Sequence, residues 1–242
     1  MDTLCEDDEM NVISIDYYFT LVDGSQEFFE LQIDSENLEL VIDTPEKLPA
    51  WTELTFRQCP NCTLTPNTHR YCPLAANIVN IVNRFDKLLS YEEVHVVVVT
   101  EQRIISQDTT AQKGLSSLMG LVMANSGCPH TTFFRPMARF HLPLANIEET
   151  IYRAASMYLL SQYFLKKEGR SADFDLKGLK EIYDNIHLVN SSMTERLRAA
   201  SNSDLSANAV ILLDLYAQAF PHAIEKTLRN IRHLFTPFLT KG

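Results

Sequence analysis

Cys59-Pro60-Asn61-Cys62 is followed ten residues later by Cys72-Pro73, and Cys128-Pro129 stands far downstream. Zinc takes four thiolates tetrahedrally, and a C-x2-C pair delivers two of them from one tight knuckle. Cys72 is near enough in sequence to add a third. Cys128 is the best fourth. His69 competes, because His69-Arg70-Tyr71-Cys72 sets a nitrogen beside a sulfur, and His130 is a second competitor. An iron–sulfur cluster is the rival cofactor, since such clusters also use cysteines next to proline and accept a remote fourth thiolate. The compact C-x2-C-x2-C run is absent. The bland reading is a set of small buried thiols beside prolines.

A second group follows Cys128. Cys128, His130, Arg135, Arg139 and His141 place two histidines, two arginines and a thiol within 14 residues. Arginine gives bidentate contact to carboxylate or phosphate, so Arg135, Arg139 and His141 are read as an anion or ligand site. Cys128 with His130 or His141 as base is the enzymatic alternative. The plain alternative is a proline-rich loop whose Arg and His satisfy backbone carbonyls. No nucleophile elbow, phosphate-binding loop, dinucleotide fingerprint or H-E-x-x-H is present, and the sequence discloses no reaction. His187, His222 and His233 lie in separate helical segments without matching carboxylates and read as surface or cap residues. The Lys and Arg between Lys177 and Arg198 alternate with acids, as on a solvated face.

The 242 residues suit one large domain or two small ones, and 45% hydrophobic with 21% charged is ordinary for a globular chain. The start is acidic and lacks the basic, then apolar, pattern of a signal peptide. No apolar run reaches the ~20 residues of a membrane helix. The expectation is therefore a soluble cytoplasmic protein, where cysteine clusters bind metal more often than they form disulfides. The net charge of −10 is lopsided: residues 1–56 carry 15 acids and one base, Lys47, and the remainder is mildly positive. That distribution argues against nucleic acid.

The elements that must position these residues change character along the chain. Residues 1–10, with Cys5, read as a disordered acidic tail. Val12–Leu21 and Glu27–Ile33 read as strands around the Asp23-Gly24 turn, with further strands at Leu38–Ile42 and Trp51–Arg57. Pro60, Pro66 and Pro73 keep the cysteine segment irregular. Ile78, Val82, Phe85 and Leu89 mark the buried face of a helix over Ala75–Leu89. Val94–Val99 and Arg103–Gln107 form a second hairpin. The pattern turns helical from residue 110. Gly114 and Gly120 lie inside the first helix, where they weaken it but permit close packing, and Asn125-Ser126-Gly127 stops it. Asn146 with Glu149 forms a capping box that opens a helix running to about Lys167 and ending at Gly169. Three more helices follow, over residues 176–186 and 205–216, and from Pro221. Strands first and helices later make an α+β protein: a strand-rich part over 11–109 with the knuckle, a helical part over 110–242, and one integrated domain tied by the cysteine site.

Cys59-Pro60-Asn61-Cys62, Cys72-Pro73, Gly114-Leu115-Ser116-Ser117-Leu118, Ser126-Gly127-Cys128-Pro129-His130-Thr131, Arg135-Pro136-Met137-Ala138-Arg139-Phe140-His141-Leu142-Pro143 and Glu148-Glu149-Thr150-Ile151-Tyr152-Arg153 carry one resemblance. The chain resembles an uncharacterised bacterial family, one of the domains of unknown function. The resemblance implies a single full-length module and brings no activity with it. The residues and their spacing point to a metal-stabilised protein with a structural zinc on Cys59, Cys62, Cys72 and Cys128. It acts by binding a protein or a small ligand rather than nucleic acid or membrane.

Overall fold

The computed structural model describes residues 12–41, 47–200 and 204–240. The tail with Cys5 lies outside them, as does Ile42, the last residue of the strand expected at Leu38–Ile42. Strand β1 (Val12–Leu21) and strand β2 (Gln26–Asp34) form the expected hairpin, with Gly24 at φ 83 in its turn. Helices α1 (Pro73–Asn77) and α2 (Val79–Arg84) follow the cysteine knuckle. Strands β3 (Glu93–Thr100) and β4 (Arg103–Thr110) make the second hairpin. The four strands form one antiparallel sheet in the order β2-β1-β3-β4. Tyr17 faces Phe29 on one side and Val98 on the other. Alternation puts Ile15, Tyr17, Phe19, Phe29, Leu31, Ile33, Val94, Val96 and Val98 on the buried face.

Helix α3 (Ala111–Ala124) lies against that face. Gly114 explains how close it comes: a Cβ there would stand 2.9 Å from both Phe19 Cε1 and Val96 Cγ2. Short α4 (Arg135–Arg139) leads to α5 (Ile147–Lys167), which opens with the Asn146–Glu149 capping box and is followed by Gly169 at φ 74. Helices α6 (Lys177–Ala200) and α7 (Leu205–Ile231) pack along each other, and α8 (Thr236–Leu239) ends the described chain. One buried cluster joins the sheet, α1, α2 and α3 to Val189, Met193 and Leu197 of α6 and Leu205, Ala209 and Val210 of α7. A second holds Ile151, Ala154 and Tyr158 of α5 against Leu179, Tyr183 and Ile186 of α6 and Ala217 and Ile224 of α7. The α+β order of elements is as expected.

Several elements differ from expectation. Only Leu40 of the segment 38–41 bridges to the sheet, opposite Ile33. Asp34 N–H to Glu39 O and Val41 N–H to Gln32 O hold that bridge, Leu40 N–H points away to Asn125 O at the end of α3, and Leu38 at φ 57 belongs to the turn rather than to a strand. The strand expected at Trp51–Arg57 is a 3₁₀ turn at Ala50–Thr52 followed by a single bridge, Glu53 to Tyr71. The helix expected over Ala75–Leu89 breaks at Ile78. Asn77 Nδ2 donates to Pro73 O at 2.7 Å and to Ser126 O at 3.2 Å, a side-chain competitor for the backbone bonding of that turn. Leu89 is exposed rather than part of the buried face. The two helices expected on either side of Pro221 are one, with the proline inside α7.

Candidate functional site

The cysteine knuckle is closed at its base and docked on three sides. Cys72 N–H donates to Thr52 O at 2.8 Å and Leu54 N–H to Arg70 O at 2.9 Å, so 52–54 and 70–72 run antiparallel and enclose the loop between them. Cys62 N–H donates to Cys59 O at 3.0 Å, the tight turn of the C-x2-C pair. The far loop arrives through two contacts. His130 Nε2 donates to Asn61 O at 2.7 Å, which fixes the proton on that nitrogen, and Ser126 O accepts from Asn77 Nδ2 at 3.2 Å. Gly127 sits at φ 82, the left-handed turn that ends α3. Asn61 Nδ2 reaches across to Asn185 O at 3.1 Å, so α6 forms the third wall.

Cys72 is buried in the first core cluster, and Cys59, Cys62 and Cys128 pack against it. The thiols feel one another. Burial raises Cys59 to about 11, a hydrogen bond from Ser192 opposes this, and charge on Cys72, Cys128 and Cys62 adds to the rise. Burial also raises Cys72, against the pull of the Ala75 amide and the positive charge of Arg196. Burial raises Cys128, against the amides of His130 and Thr131. A buried thiol pushed upward is the opposite of an activated nucleophile. Among the described residues, no three His, Cys, Asp or Glu side chains stand in position to hold a metal ion as they are.

Arg196 is the residue beside this group that the charge pattern of α6 misassigned. It is 1% exposed, not solvated. Its Nη1 donates to Trp51 O at 2.7 Å and Glu53 O at 2.8 Å, and its Nη2 to Leu54 O at 3.0 Å, while Nε has no partner among the described residues. None of these three hydrogen bonds is to a carboxylate.

The other sequence candidates go separate ways. His69 is exposed and bonds Thr68 Oγ1 through Nδ1 at 2.9 Å. Arg135 donates to Asn37 O at 2.8 Å and pairs with Glu39 at 2.7 Å. Arg139 lies over the Phe140 ring. His141 turns inward: its Nε2 meets Tyr17 Oη at 2.5 Å, Tyr17 Oη meets Ser117 Oγ at 2.9 Å, and Ser117 Oγ accepts Leu144 N–H at 3.0 Å. Burial and then the nearby Arg153 charge push His141 down to about 3, and burial pushes Tyr17 up, so both are neutral and Tyr17 donates to His141. Hydrogen bonds thus tie Arg135 and His141 to different partners. His187, read as a surface residue, instead pairs with buried Asp214 of α7 at 2.9 Å.

Beyond His141 a cavity of about 400 Å³ opens between α3, the α4–α5 loop, α6 and α7. Its walls are mainly apolar, among them Met123, Phe134, Met137, Leu144, Ile186 and Leu213. Its charged lining is Lys113 and Arg153, with no carboxylate. Arg153 Nη2 holds the carbonyls of Met137 at 2.7 Å and Phe140 at 2.8 Å. Deep in the wall, Asn190 is fully buried with neither amide atom partnered among the described residues.

A family match covers residues 15–236, nearly all of the described chain. The chain belongs to the family Domain of unknown function (DUF6901). No curated protein and no solved structure matches it. No described helix of this DUF6901 chain is long and apolar enough to cross a membrane. Sequence reasoning missed Tyr17, Ser117, Arg153, Asn190 and Arg196 in the DUF6901 chain. A signal was present for two of them: Asn190 and Arg196 occupy the same helical stripe as Val189, Met193 and Leu197, where a polar residue must be satisfied or functional.

Proposed function

We propose that the chain is a binding module stabilised by one structural zinc, held by Cys59, Cys62, Cys72 and Cys128. The observation that carries this is Arg196. A buried guanidinium whose hydrogen bonds among the described residues all go to neutral carbonyls is strongly disfavoured unless a negative charge lies near it. Its field falls on Cys72, one of four thiols that share a neighbourhood. Four thiolates on zinc carry a net charge of minus two, of which the guanidinium offsets one. Amides of Ala75, Leu74, His130 and Thr131 directed at Cys72 and Cys128 favour the same ionised sulfurs. Binding drives the thiols to deprotonate and side-chain rotation closes them to the ~2.3 Å of zinc–sulfur bonds. The metal then ties the knuckle to the loop after α3.

The test is metal analysis of the full chain purified without added zinc. We expect close to one zinc per chain, no visible absorption, and loss of metal with earlier melting in both Cys62→Ser and Cys128→Ser. Stoichiometric iron and sulfide would replace zinc by a cluster. Retention of metal by Cys128→Ser, with loss in His69→Ala or His130→Ala, would make a histidine the fourth ligand.

A further inference from the structure

We propose that the cavity beside His141 binds a linear apolar molecule with a carboxylate at one end and a hydroxyl at the other. This names the small ligand of the binding module above but uses none of the metal residues. Metal content and ligand affinity therefore succeed or fail separately.

Size comes first. The ~400 Å³ volume lies within the range of small-molecule sites, which are apolar with a few convergent polar groups. Charge decides the class. In a chain of net charge −10, this lining has two cations and no acid. Arg153 spends Nη2 on two carbonyls, leaving Nη1 and Nε without a hydrogen bond among the described residues. Glu149, whose charge reaches Arg153, is turned back to the Asn146 N–H at 2.8 Å. Nη2 completes both two-point faces of the guanidinium and is engaged, so Nη1 or Nε offers a carboxylate one charge-assisted hydrogen bond.

Helix geometry sets the length. Tyr183 interacts electrostatically with Arg153 and so marks the charged end on α6. Ile186 and Asn190 follow on the same face and also line the cavity. Seven residues of helix separate Tyr183 from Asn190, about 10 Å. Asn190 needs both a donor and an acceptor in the depth of the wall, which a hydroxyl supplies and a methyl end does not. A ten-carbon hydroxy acid has the required reach.

The probes are 10-hydroxydecanoate, decanoate and 1-decanol, titrated calorimetrically into the full chain as purified. We expect the hydroxy acid to bind tightest, decanoate several-fold more weakly, and decanol at least tenfold more weakly than the hydroxy acid. Arg153→Met should abolish the preference for acid over alcohol. Asn190→Leu should erase the advantage of the hydroxy acid over decanoate while decanoate still binds. Ala217→Phe, which fills the cavity, should weaken all three. Absence of binding at millimolar concentration, equal affinity for acid and alcohol in the unmodified chain, or a preference that survives Arg153→Met would each overturn the proposal. The comparison of ligands in the unmodified chain decides even where a variant fails to fold.

Discussion

His141 offers a test of the interior that needs no knowledge of the ligand. Its imidazole is held neutral, with its proton affinity lowered to about 3 by burial and by Arg153, from an ordinary value of 6.5. Above pH 6.5 the folded and unfolded chains both carry it neutral, and it contributes no pH dependence. Below 6.5 the unfolded chain takes up a proton that the folded chain refuses, so stability falls as pH drops toward 3. The slope approaches about 1.4 kcal/mol per pH unit, or about 2.7 kcal/mol between pH 7.5 and 4.5 for a fully shifted group. His141 retains some surface, which brings the expectation to about 2 kcal/mol, equivalent to about 4–8 °C in melting temperature for a chain of this size. Other groups titrate in the same range, so the measurement is a difference. His141→Gln keeps an acceptor for the Tyr17 hydroxyl and does not titrate. Urea unfolding of both proteins at pH 7.5, 6, 5 and 4.5 should show the unmodified chain losing about 2 kcal/mol relative to the variant. Arg153, Tyr17 and Ser117, the groups around the ring, do not titrate in this window. Parallel curves would refute the buried neutral imidazole.

Three further outcomes are expected. Gly114→Ala places a Cβ against Phe19 and Val96 and should lower stability by about 1 kcal/mol net of helix propensity. Gly120→Ala meets only Leu213 at 3.4 Å and should be neutral or stabilising, so equal effects in a urea midpoint comparison would contradict the close approach of α3. Asn146→Ala should lose about 1 kcal/mol with Asn146→Asp close to unchanged, and a neutral Ala variant would mean that the capping box does not hold the start of α5. The chain should bind neither DNA nor RNA at physiological salt, and submicromolar, salt-sensitive binding in a filter or polarisation assay would overturn this.

What could be read from the sequence was what local pattern decides. Alternation at Ile15, Tyr17 and Phe19 marks a strand with one buried face, and the Asn146–Glu149 pair marks a helix start, because both signals depend on residues close in the chain. What could not be read depends on distant partners. Leu38–Ile42 has strand-like residues, yet Leu40 gives its N–H to Asn125. Trp51–Arg57 looks like a strand, yet its carbonyls at Trp51, Glu53 and Leu54 belong to Arg196. Pro221 looks like a helix start, and tertiary packing carries α7 through it. At the candidate site, the cysteines were visible by their spacing. Arg196 and Asn190 were legible only to a reader who asks what a polar residue does on an apolar stripe. Tyr17 and Ser117, hidden inside a strand and a helix, gave no signal at all.

The order of the strands has a consequence for how the chain reaches its native state. The two hairpins are local and can form quickly, but the sheet closes only when β1 meets β3, with Ile15 opposite Thr100 and Leu21 opposite Val94. The whole cysteine knuckle, α1 and α2 must be looped out for that meeting. Closing so long a loop costs entropy before any contact repays it, which places this step among the slow ones. The knuckle is therefore cargo in the closing loop and its restraint at once. The backbone bonds from Cys72 N–H to Thr52 O and from Leu54 N–H to Arg70 O close it at its base, so the span is shorter when β3 searches for β1.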